Sequence, residues 1–209
     1  MTDRVVLLHG LWMRGLVMTA LQRRLIQAGF EVESFDYWSV AAEPRHSAER
    51  LRERMHALAP SRVHLVGHSL GGVLALQAMR DVHDLPLGRI ICLGSPLAGS
   101  TAAQGFLHWP GARAMLGRSV ELLCEGVSPW NGAREVGVIA GRMPHGLGML
   151  FGQLDDQHDG TVAVSETKLQ GIADHCVVAA SHAGLVFSAQ AAQQTIAFLR
   201  EGRFVHDTD

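Results

Sequence analysis

The segment "RVHLVGHSLGGVLALQAMRDV", residues 62–82, changes its period in the middle. "RVHLVG" is apolar and β-branched, as a strand buried on both faces must be. "LGGVLALQAMRDV" is apolar nearly all round, which describes a helix sunk in a larger body. Between them Gly67, Ser69 and Gly71 form G-x-S-x-G, in the strand, sharp turn, helix setting that this motif needs. The turn brings strand and helix so close that a side chain at either glycine would clash, and it forces the serine into a strained backbone. The Ser69 hydroxyl then stands clear of the sheet, over the positive end of a helix. The competing reading is an incidental serine in a Gly-rich turn, and the strand and helix on either side weigh against it.

Outward from this unit the chain keeps alternating. "RVVLLHG" (4–10) and "FEVESFDY" (30–37) read as strands before it, and "GRIICLGSP" (88–96), "EVGVIAG" (135–141) and "DHCVVAAS" (174–181) as strands after it. Helical period runs through "LVMTALQRRLIQAG" (16–29), through "SAERLRERMHAL" (47–58), which Pro60 closes, and through "SAQAAQQTIAFLREG" (188–202). Apolar strands separated by helices predict a doubly wound α/β fold, a mostly parallel sheet of about six strands covered on both faces. One domain spanning 1–209 is expected. Two stretches break the alternation, 97–135 and 142–158, and excursions of that length from an α/β body are more often functional than neutral.

Composition narrows the field. Of 209 residues, 47% are hydrophobic and 18% charged, which suits a globular body rather than a disordered one. A formal charge of −2 without any Lys/Arg run argues against a nucleic-acid partner. Cys92, Cys124 and Cys176 are odd in number and widely spaced, so free thiols in a reducing compartment are expected. "MTDRVVLLHG" lacks the basic start and long apolar stretch of a signal peptide, and no stretch has the length of a transmembrane span. A cytoplasmic location follows as the expectation, and the oligomeric state stays open.

"LDDQHDGTVAVSE" (154–166) nearly matches a calcium loop, with Asp155, Gln157 and Asp159 alternating, Gly160 at the turn and Glu166 where a bidentate ligand belongs. Gln157 is the flaw in that fit, and the flanks supply no secure helices: "HGLGMLFGQL" is rich in glycine and "TVAVSETKLQG" alternates like a strand or extended loop. The segment reads better as a tight turn that fixes one carboxylate, with no metal or organic cofactor expected.

With "HGLW" after the first strand, then "GHSLGG", "LGSPLAGS", "DGTVAVSET" and "SHAGLVFS" in that order, the chain resembles the α/β-hydrolase superfamily, in particular its small lipase-like esterases. It departs from the fuller pattern at its start, where the first two strands of larger relatives are missing. The resemblance implies a chain order of serine, acid, histidine, with the histidine in the loop after the last strand. His182 meets that requirement among twelve histidines. His175 is expected to cap its strand or face solvent, His206 lies in the tail, and structural hydrogen bonding accounts for His9 and His68. Asp155, Asp156, Asp159, Glu166 and Asp174 all satisfy the order for the acid. Asp159 is favoured by its "DG" turn and by the family's acid loop. The resemblance also implies oxyanion donors at the Leu11 and Leu70 backbone N–H groups. Trp12 would add its amide or wall the pocket, with Trp109 and Met149 as further pocket candidates. Apolar side chains in both excursions suggest a hydrophobic ester as the small-molecule substrate. A thioester, an amide, or a non-catalytic binding role for the same fold remain alternatives.

Overall fold

In the computed structural model, residues 2–145 and 157–206 are described. Six strands form one sheet, β1 (Arg4–Leu8), β2 (Glu31–Phe35), β3 (Val63–His68), β4 (Ile90–Leu93), β5 (Val136–Gly141) and β6 (Asp174–Val178). Their order across the sheet is β2-β1-β3-β4-β5-β6, and every neighbouring pair is parallel. The expected strands all form, several of them shorter than their apolar runs. His9 and Gly10 leave β1, and Ala179 to Ser181 leave β6, because these residues turn into loops at the carboxyl edge.

Alternation along each strand divides the core in two, since successive side chains point to opposite faces. Val6, Leu8, Leu65, Ile90, Cys92, Val136 and Val138 enter one cluster, whereas Val5, Leu7, Val66, Ile91, Leu93 and Ile139 enter the other. The first face is covered by α2 (Pro44–Ala57), through Ala48, Leu51 and Met55, and by α3 (Leu70–Met79), nearly every residue of which is buried. The second face is covered by α1 (Thr19–Gln27), through Leu21 and Leu25, and by α7 (Ala189–Glu201), through Ala191, Ala192, Phe198 and Leu199.

Residues 97–135 fold into three short helices, α4 (Thr101–Phe106), α5 (Ala112–Leu116) and α6 (Val120–Glu125), which send Ala103, Leu116, Val120 and Leu123 into the first cluster. The extended reading of "TVAVSETKLQG" gives way to a turn. The Glu166 N–H donates to Ala163 O at 3.1 Å and the Thr167 hydroxyl to Val164 O at 2.7 Å, closing a 3-10 turn at Ser165–Thr167. The three cysteines are free. Among the described residues no helix is long and apolar enough to cross a membrane.

Candidate active site

Ser69 sits at the end of β3 and just before α3 with φ 54° and ψ −122°, a conformation that non-glycine residues occupy only when their surroundings force it. Its surroundings are backbone packed on backbone. A Cβ at Gly67 would lie 2.3 Å from the Gly72 nitrogen, and one at Gly71 would lie 2.5 Å from the Leu8 carbonyl oxygen. The Ser69 N–H donates to Leu93 O at 2.8 Å, so the turn is also pinned to the neighbouring strand.

Beyond β5 and β6, His182 and Asp159 meet. His182 Nδ1 stands 2.8 Å from Asp159 Oδ2, and the His182 N–H donates to the Asp159 carbonyl at 2.8 Å. A carboxylate only accepts, so Nδ1 carries the proton and Nε2 is left as the basic nitrogen. Asp159 is buried, and its Oδ1 accepts from the Thr161 and Val162 N–H groups at 2.9 and 2.8 Å. The "DG" turn thus fixes the carboxylate, as expected from its sequence. Room for the pair comes from glycines at strand ends. A Cβ at Gly94, φ 55°, would lie 3.1 Å from Asp159 Oδ2 and 3.2 Å from His182 Nδ1, and one at Gly141 would meet Asp159 Cβ at 2.8 Å.

His68 joins this pair to the serine turn. Its ring centroid lies 4.8 Å from that of His182, and its Nε2–H donates to the His182 carbonyl at 2.9 Å. Burial, with His182 close by, pushes its pKa down to about 3, so it is neutral. His9 works similarly on the loop after β1. It donates from Nδ1 to Gly10 O at 2.9 Å, stacks on Tyr37 at 4.5 Å, and its carbonyl accepts the Tyr37 hydroxyl at 2.7 Å. Burial lowers its pKa too. Gly10 packs onto the turn, where an added Cβ would meet Ser69 Cβ at 3.2 Å.

Leu70 follows Ser69 at the start of α3 and Leu11 follows Gly10 in the loop after β1, and among the described residues no backbone acceptor outside the helices and strands takes either N–H. The Trp12 amide is not a third donor of that kind, because it donates to Ser39 Oγ at 3.2 Å. A narrow pocket lined by Tyr37, Trp38, Leu70, Leu74 and Leu122 opens beside Leu70 and encloses ≈10 Å³, room for about one water. Trp109 stands exposed just past α4. Met149, with Asp155 and Asp156, lies outside the described residues.

Glu166 is buried and staples two loops: Oε1 accepts from the Thr101 N–H at 2.6 Å, Oε2 from the Ala163 N–H at 2.8 Å, and its carbonyl from the Ala98 N–H at 2.8 Å. The sequence marks it only as a possible acid or ligand, because its partners lie far off in the chain. His175 neither caps β6 nor faces solvent. It is its second residue and is partly buried, donating from Nε2 to Thr167 Oγ1 at 2.8 Å. Asp174 accepts from the His175 and Phe204 N–H groups, both at 2.7 Å, and from His206 at 2.9 Å.

The fold has many counterparts among solved structures. The mature form of the Bacillus licheniformis lipase BlEst2 superposes with a TM-score of 0.70 at 16% identity, over 95% of this chain and 91% of that one. The Legionella pneumophila phospholipase PlaB, in complex with thio-NAD, matches with a TM-score of 0.68 at 14% identity, over 93% of this chain and 56% of its own. The pyrethroid hydrolase PytH matches at 0.62 and 16%, over 96% and 98%. Identities this low speak for fold alone. No curated protein matches the chain by sequence. A model of the alpha/beta hydrolase family, however, matches residues 5–163, most of the chain, and on that ground the chain belongs to the α/β hydrolase family.

Proposed function

We propose that this chain is a serine hydrolase that cleaves carboxylic esters through an acyl-enzyme. The observation that carries the reading is the 2.8 Å pair between buried Asp159 and His182, whose carbonyl accepts from His68, the residue before the strained Ser69. Ser69 attacks the ester carbonyl, and His182 Nε2 takes the hydroxyl proton and returns it to the leaving alcohol. Asp159 keeps the proton on Nδ1 and stabilises the imidazolium. The Leu11 and Leu70 N–H groups bind the developing oxyanion, a role in which each donor is worth about 3 kcal/mol of barrier. Water then repeats the sequence on the acyl-enzyme. The scheme draws on no cofactor.

The chain of a hydrophobic ester would lie along apolar side chains at the carboxyl edge of the sheet, among them Trp12. Labelling of Ser69 by a fluorophosphonate, followed by turnover of p-nitrophenyl esters of increasing chain length, tests the reading. Esters, thioesters and amides compared side by side define the bond. A folded sample that neither labels nor turns over any of them would sink it and leave a ligand-binding role for the fold.

A further inference from the structure

The peptide that joins Gly10 to Leu11 carries the N–H assigned to Leu11, and its plane is held from the carbonyl side. His9 Nδ1–H donates to Gly10 O at 2.9 Å, and the Met13 N–H donates to the same oxygen at 3.3 Å. A trans peptide is planar, so a fixed C=O leaves its N–H pointing the opposite way. This unit also lies against the nucleophile: a Cβ added at Gly10 would stand 3.2 Å from Ser69 Cβ and 3.1 Å from His68 Nδ1. The aim of the Leu11 N–H therefore depends on how the ring and carbonyl of His9 are turned.

What turns them comes from the neighbouring strand. β1 and β2 pair with Leu8 beside Phe35, so His9 leaves the sheet next to Asp36 and Tyr37. Tyr37 is buried and meets His9 in three ways. Its hydroxyl donates to the His9 carbonyl at 2.7 Å, its N–H donates to His9 Nε2 at 3.4 Å, and its ring stacks on the imidazole at 4.5 Å with the planes 12° apart. An Nε2 that accepts leaves the proton on Nδ1, the tautomer that holds Gly10 O. Burial, which lowers the His9 pKa, keeps that ring neutral. Asp36 accepts the Gly15 N–H at 2.7 Å and so ties the far end of the same loop to the same segment. Tyr37 also lines the narrow pocket beside Leu70, which places one side chain in the surroundings of both candidate donors.

We propose, on the hydrolase reading above, that Tyr37 is a positioning residue for the oxyanion donor on Leu11, acting through its hydroxyl bond to the His9 carbonyl. In the step it serves, Ser69 Oγ bonds to the ester carbonyl carbon, the C=O π pair moves onto oxygen, and the serine proton passes to His182 Nε2. Losing an oxyanion donor outright costs about 10²–10³ in kcat, so Tyr37→Phe, which keeps the ring and frees the loop, should cost about tenfold. KM for a soluble short-chain ester should stay near the parent value. Affinity for a trifluoromethyl ketone, whose adduct with Ser69 sets an alkoxide among the same donors, should fall by the same factor as kcat/KM. Tyr37→Leu removes the stack as well. The melting temperature should drop in the Leu variant and mostly recover in the Phe variant, while kcat stays low in both. A Phe variant with parent kcat and parent ketone affinity would overturn the proposal, as would a kcat that recovers together with the melting temperature. Either result, with a parent that labels with a fluorophosphonate and turns over ester, would remove only the role of Tyr37. A folded parent that does neither would remove the hydrolase reading and this role with it.

Discussion

Two side chains around His182 separate chemistry from scaffolding. In an Asp159→Asn protein the oxygen facing the Thr161 and Val162 N–H groups is kept, but an amide NH₂ replaces the oxygen 2.8 Å from His182 Nδ1. That donor favours the tautomer with its proton on Nε2, which could not accept one from Ser69 as proposed. Turnover should fall by roughly 10³–10⁴-fold with the circular dichroism unchanged, whereas Asp155→Asn and Asp156→Asn should stay near the parent rate. Equal losses in all three would refute the assignment of Asp159. His68 acts through the backbone, and removing its Nε2–H takes a donor from the part-buried His182 carbonyl. His68→Leu should cost about 1–3 kcal/mol of stability and lower kcat with KM little changed. His68→Gln, which can place an amide N–H near the same oxygen, should recover most of both. If Leu and Gln behaved alike, the hydrogen bond would not be what positions His182.

At the scale of elements, β3 and α3 are held together by the absence of side chains. A methyl group at Gly67 or Gly71 meets backbone atoms at 2.3 and 2.5 Å, and neither strand nor helix can give way cheaply inside a close-packed core. Gly67→Ala and Gly71→Ala should each lower the urea midpoint by the equivalent of about 3 kcal/mol or more. Gly29→Ala meets nothing within 4 Å and strains only its φ of 95°, so its cost should be nearer 1–2 kcal/mol. A Gly67 variant no worse than the Gly29 one would mean that this packing is looser than its geometry. This junction was legible in the sequence because it is local: the switch of period, the glycines and the serine lie within one short stretch. The strands were legible as apolar runs for the same reason. The helices α4–α6 were not. Short segments such as "WPGARAMLG" (109–117), broken by Pro110, Gly111 and Gly117, gain their order from burying Leu116, Val120 and Leu123 rather than from helix propensity. Gly94 and Glu166 escaped for a related reason, because what they touch is fixed by the fold and not by neighbours in sequence. Glu166→Ala, which leaves the Thr101 and Ala163 N–H groups without their acceptor, should make residues 97–135 more open to limited proteolysis, and Glu166→Gln less so.

Over the whole molecule, one class of residue sets the response to acid. His9, His64, His68 and His175 all have lowered pKa values, in each case first through burial. Their rings are built into the hydrogen bonding at both ends of the sheet. Near the carboxyl edge His68 supports the His182 carbonyl, while in β3 His64 accepts the Arg89 N–H at 3.0 Å and reaches Asp3 at 3.3 Å. The folded form of each holds its proton less tightly than an unfolded histidine does. As pH falls through the ordinary value of 6.5, the unfolded chain therefore takes up protons first and the native state loses stability, for His68 progressively down to about 3. Each such group contributes a slope of up to about 1.4 kcal/mol per pH unit, so His68 alone should remove about 2 kcal/mol by pH 5. Asp174, whose hydrogen bonds from Phe204, His206 and His175 outweigh its burial and lower its pKa, extends the loss below the usual carboxylate range. Urea unfolding measured from pH 7.5 to pH 5 should accordingly show a midpoint that drops steadily below pH 6.5. The His68→Gln protein, starting lower, should show a shallower decline because it has one fewer buried imidazole to protonate. A flat profile across that range, or a variant whose decline is as steep as the parent's, would show that these histidines are not held neutral by the fold.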